Sequence, residues 1–168
     1  AITDHEATSD VSGLSSEDFL VISGTENHIY DEKIGDYWHL VCLNVPYGFE
    51  AKDSDINARI RKVKQLGGEL IIGHPYESGL SVEDMLKVEG FLGIEVFNGT
   101  ADEVCKSNSS TYWDVLLDRG KWISAVAADD SHTNKKDMFL GWTMIKAKDL
   151  RLKTIMQALR EGCFYSSS

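Results

Sequence analysis

Residues 56–75 read Ile56-Asn57-Ala58-Arg59-Ile60-Arg61-Lys62-Val63-Lys64-Gln65-Leu66-Gly67-Gly68-Glu69-Leu70-Ile71-Ile72-Gly73-His74-Pro75. Ile56, Ile60, Val63 and Leu66 recur at the spacing of one helical face, and Gly67-Gly68 supplies the stop. Glu69 to Gly73 is then an apolar run of strand length, ending in a histidine frozen by the following proline. A helix feeding a strand, with a chemically capable side chain just past the strand end, is the repeating unit of α/β architecture.

The same alternation extends in both directions. Apolar runs from Phe19 to Ser23, Trp38 to Val45, Gly93 to Phe97, Trp122 to Ala127 and Phe139 to Ile145 bring the expected strands to six. Ser81 with Glu83 and Asp84 reads as a capped, acid-rich first turn leading through Met85, Leu86 and Val88. Ser110 or Thr111 caps a further helix carrying Trp113, Leu116 and Leu117 to Gly120, and Leu152, Ile155, Met156 and Leu159 define the last, closed by Gly162. No internal repeat or low-complexity tract divides the chain, so one domain over 1–168 is expected. Such a succession favours parallel strands with right-handed crossovers, in an open doubly wound sheet or a barrel. Periodicity does not choose between them, but no glycine-rich phosphate loop follows any strand, which counts against a nucleotide-binding doubly wound fold.

The chain has 168 residues, 42% of them hydrophobic, and 17 Lys+Arg against 27 Asp+Glu, a formal charge of −10. That balance repels a phosphate backbone, so a nucleic acid polymer is excluded as partner. No run reaches the roughly 18 apolar residues of a spanning helix, and Ala1-Ile2-Thr3-Asp4-His5 lacks the basic start and apolar stretch of a signal peptide. Cys42, Cys105 and Cys163 show no paired spacing, so neither a disulfide framework nor a thiolate zinc site is expected, and the cytoplasm is the expected compartment. A small phosphorylated substrate stays compatible with the charge, because bound divalent cations reverse the local sign.

The ionisable residues cluster at expected strand ends. Asp4-His5, Glu26, His39, His74 and the pair Asp130, His132 each lie at such an end or in the turn after it, and in an α/β fold those ends share one face. Imidazole and carboxylate ligands suit Zn, Mn, Fe or Co, and Glu26 is placed to bridge two ions. Each residue also has a bland alternative: a turn for Asp4-His5, a solvated turn for Glu26 and a core histidine for His39. His74 is read as exposed after its buried strand. His28, ahead of Tyr30-Asp31-Glu32-Lys33, is read as part of a solvated loop and given no role. Tyr165 to Ser168 is read as a ragged terminus, and Lys135 and Lys136 as a charged loop able to attract an anion.

Together these elements resemble the PHP superfamily of metal-dependent hydrolases, named for its polymerase and histidinol phosphatase members. Thr3-Asp4-His5 is similar to its TDH motif, Gly24-Thr25-Glu26 to its Gly-x-Glu motif, and Trp38-His39-Leu40 to the strand carrying its next histidine. Gly73-His74-Pro75 resembles its His-Pro motif, Asp130-Ser131-His132 its closing Asp-x-His, and Ile94-Glu95-Val96-Phe97-Asn98 the strand before that closing motif. Gly141-Trp142-Thr143 and Gly162 to Ser167 resemble the carbaryl-hydrolase-like branch.

The resemblance implies a distorted seven-stranded β/α barrel with two or three divalent ions (Mn, Zn, Fe or Mg) at its C-terminal face. It also implies metal-dependent hydrolysis of a small phosphate monoester or diester through a metal-bound hydroxide. Asp4, His5, Glu26, His39, His74, Asp130 and His132 are the implied ligands, with Asp130 or His132 passing a proton to the leaving group. Members open with a His-x-His strand that this chain lacks, so the barrel is expected to be incomplete at its N-terminal side. Amide or carbamate hydrolysis, or a non-catalytic binding domain with a degenerate site, are the competing expectations.

Overall fold

The computed structural model describes residues 1–132 and 135–168, with the Lys135 side chain outside the described set. In chain order the elements are β1 (Gly24–Asp31), β2 (Asp36–Leu43), α1 (Ile56–Gln65), β3 (Glu69–Ile72), α2 (Val82–Met85), β4 (Gly93–Asn98), α3 (Ser110–Asp118), β5 (Ser124–Ala128), β6 (Trp142–Ile145), α4 (Leu152–Arg160) and β7 (Phe164–Ser167). Short 3-10 turns at Thr100–Val104 and Lys135–Asp137 follow β4 and β5.

Strands β1 to β5 form one sheet in sequence order, and β6 pairs with β7 in a second. The strands from β3 to β5 are parallel, as the alternating pattern requires, but β1–β2 and β2–β3 are antiparallel. The all-parallel expectation fails there because a short turn returns β2 directly along β1 as a hairpin, leaving β3 to run against it.

Sheet one buries Leu40, Leu70, Ile72 and Ile94 against Ile60 and Val63 of α1, Met85 of α2 and Leu116 of α3. Burial of such side chains stabilises by about 1.5–3 kcal/mol each. Asp55 caps α1 through Asn57 N, and Ser81 caps α2 as expected. The α3 cap falls on Ser109 rather than Ser110 or Thr111, and the Asn108 side chain accepts the Ser110 N–H at 2.9 Å. A second apolar cluster joins Leu43, Ile71 and Val126 to Ile155, Met156 and Leu159 of α4.

The two sheets are not joined into a closed barrel among the described residues. Where a ladder would continue, side-chain hydroxyls take over: Thr143 Oγ1 accepts from Ala127 N at 3.1 Å and donates to Ala127 O at 3.0 Å, and Ser166 Oγ donates to Ala125 O at 2.7 Å. The stretch read as a ragged terminus is therefore β7. On the other side, residues 2–6 run parallel to the start of β1 through bridges Ile2 to Ser23 and His5 to Glu26.

The expected strand from Phe19 to Ser23 is not formed as such; β1 starts at Gly24 and continues through the supposed loop to Asp31. Gly24 is a packing glycine rather than a strand breaker, since a Cβ there would lie 2.6 Å from Cys42 O and 2.7 Å from Thr3 Cγ2. No helix among the described residues is long and apolar enough to cross a membrane.

Candidate metal centre

Strand alternation places Glu26 and His28 on one face of β1, and hairpin register sets His39 directly opposite His28. His5 reaches the same face because Glu26 N donates to Asp4 O at 3.0 Å and Glu6 N donates to Glu26 O at 2.8 Å. His74 follows β3, and Asp130 and His132 follow β5, so two parallel strands deliver their C-terminal ends to the hairpin's polar face. All five histidines of the chain thus meet in one place.

Glu26 is the hub, only 3% exposed. Its Oε1 lies 2.5 Å from His39 Nδ1, 3.4 Å from His28 Nε2 and 3.8 Å from His74 Nε2, while Oε2 lies 3.6 Å from His5 Nε2. His74 Nε2 is 3.9 Å from Asp130 Oδ2, and His5 Nε2 is 3.2 Å from His132 Nε2. The outward nitrogens are anchored. His132 Nδ1 meets Asp130 O at 2.8 Å, and His74 Nδ1 meets Glu77 Oε2 and Ser78 Oγ, both at 3.2 Å. Engaging Nδ1 as a donor leaves Nε2 with its lone pair facing inward, the tautomer that a metal ligand needs.

Burial would raise the Glu26 carboxyl, but contacts with His39 and His74 outweigh it and hold the group well below the ordinary carboxylate range. Burial alone would lower His74; its contacts with Glu26 and Glu77 and the charges of Glu95 and Asp130 instead push it up to about 10. Burial raises Glu95 and Asp130, with the Glu26 charge adding to Asp130, and lowers His28, with the charge of His39 adding to it. Without a cation, a proton on His74 is what balances these buried carboxylates.

The donor set consists of imidazole nitrogen and carboxylate oxygen, with no thiolate, and it fits Zn, Mn or Fe. His5, Glu26 and His28 each offer an atom within 4.8 Å of the others, and so do Glu26, His39 and His74. A cavity of about 780 Å³ opens beside the cluster, polar where it meets His5, Glu26, His74 and Asp130 and apolar at Val41, Ile71 and Val126.

No protein-family model matches this chain, and no curated protein matches it. A solved structure is similar: a two-domain protein from Bacteroides vulgatus ATCC 8482 containing a predicted PHP-like metal-dependent phosphoesterase, with a TM-score of 0.61 and 18% identity over 89% of this chain. The chain shares that fold. It spans 45% of the length of that protein, and at this identity the likeness is one of fold alone.

Of the residues read from the sequence, His5, Glu26, His39, His74, Asp130 and His132 come together. The carboxylate of Asp4 instead accepts from Ser9 Oγ, and Asp4 serves the cluster through its backbone carbonyl. His74 is buried rather than exposed. Lys136 is exposed on its 3-10 turn.

His28, expected in a solvated loop, lies instead in β1, and its position two residues after Glu26 is the sequence signal for a shared strand face. Nor does the sequence assign a role to Glu95 and Asn98. Glu95 Oε2 accepts from His74 N at 3.0 Å and from Asn98 Nδ2 at 2.8 Å, and that same Asn98 nitrogen lies 3.2 Å from Asp130 Oδ2. A charged residue inside the apolar run from Gly93 to Phe97 was their visible signal. Asp129 clamps the following loop by accepting from Phe139, Leu140 and Gly141 N at 2.7, 2.8 and 2.9 Å. Asp130 itself adopts a left-handed φ of 54°, a strained conformation of the kind that gathers at functional sites.

Proposed function

We propose that this chain is a metal-dependent phosphoesterase domain acting on a small phosphate monoester or diester. The observation that carries this reading is the convergence of His5, His39, His74 and His132 on the buried Glu26 and the half-buried Asp130 at one mouth of the fold. These residues would hold two or three divalent ions, with Glu26 between two sets. Bound there, the ions supply an activated water at neutral pH and offset charge gathering on the phosphoryl oxygens.

The chain's own groups do the positioning. Glu77 and Ser78 fix the His74 ring, the Asp130 carbonyl fixes His132, and Asn98 ties Asp130 to Glu95 and thereby to the backbone of His74. Of Asp130 and His132, whichever stays off the ions would hand a proton to a departing oxygen. The carbaryl-hydrolase-like branch belongs to the same proposal.

Among the described residues, no Lys or Arg lines the cavity or the cleft beside it, which favours amide or carbamate hydrolysis as a second reading. The test is metal content by elemental analysis, together with hydrolysis of an aryl phosphate and an aryl carbamate in parallel, with and without added Mn or Zn. Two or more ions per chain and a metal-dependent phosphatase rate lost in His74→Ala support the proposal. A carbamate rate alone selects the second reading. Less than one ion and no turnover sinks both and leaves a binding domain.

A further inference from the structure

We propose that His28 is a metal ligand, holding with His5 and Glu26 one cation position, while Glu26, His39 and His74 hold the neighbouring one. The inference rests on the metal-site reading above and adds to it a residue outside the motifs that suggested that reading.

Three observations carry it. First, His28 Nε2 is buried and has no hydrogen-bond partner among the described residues. Glu26 Oε1 lies 3.4 Å away but outside hydrogen-bond geometry. A buried polar atom left unpaired forfeits its hydration with nothing in return, so native structures rarely keep one without a purpose. Second, that nitrogen lies 3.4 Å from Glu26 Oε1, and His5, Glu26 and His28 each offer a ligand atom within 4.8 Å of the others. One small ion between them would satisfy all three.

Third, the ring is braced from behind. Glu6 accepts the His28 backbone N–H and sets the same oxygen 3.7 Å from His28 Nδ1, and the buried Arg59 donates from Nη1 to the His28 carbonyl at 3.2 Å. A carboxylate on the far nitrogen is the usual outer partner of a ligating histidine. Glu6 is held there at a left-handed φ of 54°, directly after His5, so one strained residue serves both ligands of this position. A purely structural His28 would account for its edge contact with the His5 ring, at 4.8 Å between centroids, but not for an unpaired inward nitrogen.

The test uses the unmodified chain, stripped of metal and titrated with zinc while long-range ¹H–¹⁵N spectra of the imidazoles are recorded, with the His28 signal assigned by through-bond correlation to its own backbone. The expected result is a metal-induced shift of His28 Nε2 and two binding steps by calorimetry. His28→Gln should weaken or abolish one of those steps by on the order of 10-fold or more, and Glu6→Gln should weaken the same step by less. Zinc binding with the His28 nitrogens unmoved overturns this proposal and leaves the metal-site reading standing. No zinc binding at all overturns both. The spectrum of the unmodified chain decides the matter even if His28→Gln fails to fold.

Discussion

The two sides of the cluster are built by different rules. On the hairpin side, Glu26, His28 and His39 come from strand interiors, placed by alternation along β1 and by the register with β2. On the parallel side, His74, Asp130 and His132 come from the turns after β3 and β5, and they are fixed by a buried polar web of Glu95, Asn98 and Thr100, whose Oγ1 donates to Asp130 O at 2.6 Å. Side chains on a strand interior are aimed by the ladder itself. Turn residues have no such ladder, so their orientation must come from side-chain hydrogen bonds. The hairpin side should therefore tolerate loss of a supporting side chain better than the parallel side.

The largest effect is expected where the sides meet. Glu26→Gln should strip ions from both, lowering metal content below one per chain and turnover by more than the roughly 10- to 100-fold typical of outer partners. Elemental analysis and steady-state rates check this, and loss of one ion alone would show that the sides bind independently. Next, Asn98→Ala removes the donor shared by Glu95 and Asp130. Metal affinity should fall about 10- to 100-fold and stability by about 1–3 kcal/mol, read by calorimetry and denaturant titration. An equal loss of affinity on Arg59→Met, which touches only the hairpin side, would break the contrast.

A smaller effect follows from pH. The folded His74 is raised from 6.5 to about 10, so its contribution to the metal-free protein is complete below the ordinary imidazole value and is lost as pH rises through about 10. The melting temperature of metal-free protein should fall between pH 7 and 10.5, while zinc affinity rises over the same interval because ligands bind deprotonated. Melting curves and zinc titrations at several pH values check both directions. The smallest change is expected from Thr143→Val, which removes both hydroxyl bonds to Ala127 for about 1–2 kcal/mol. Thermal denaturation should show that loss with metal stoichiometry unchanged.

The helix–strand unit around Gly67-Gly68, the turn histidine after it and the Asp-x-His pair were legible because each depends on local pattern: helical period, a short apolar run, a proline that freezes what precedes it. The hairpin was not. A strand expected to end at Ser23 leaves Glu26 in a turn and His28 in a loop, because the close approach of Thr3 and Cys42 that requires glycine at position 24 is a contact between distant parts of the chain. The strand direction of β2 and the hydroxyl-mediated join between β5 and the second sheet depend on partners that no window of sequence contains.

By itself the sequence determined the α/β class and most of the residues able to bind a cation, since residue type and short-range period are properties of the chain. Only the tertiary structure decided that four histidines share a single buried carboxylate with His132 joined to them through His5, that Glu95 and Asn98 tie the two parallel-strand turns together, and that His28 faces inward. Those are distances between residues far apart in the chain, and they come into being only when the hairpin and the parallel strands pack edge to edge.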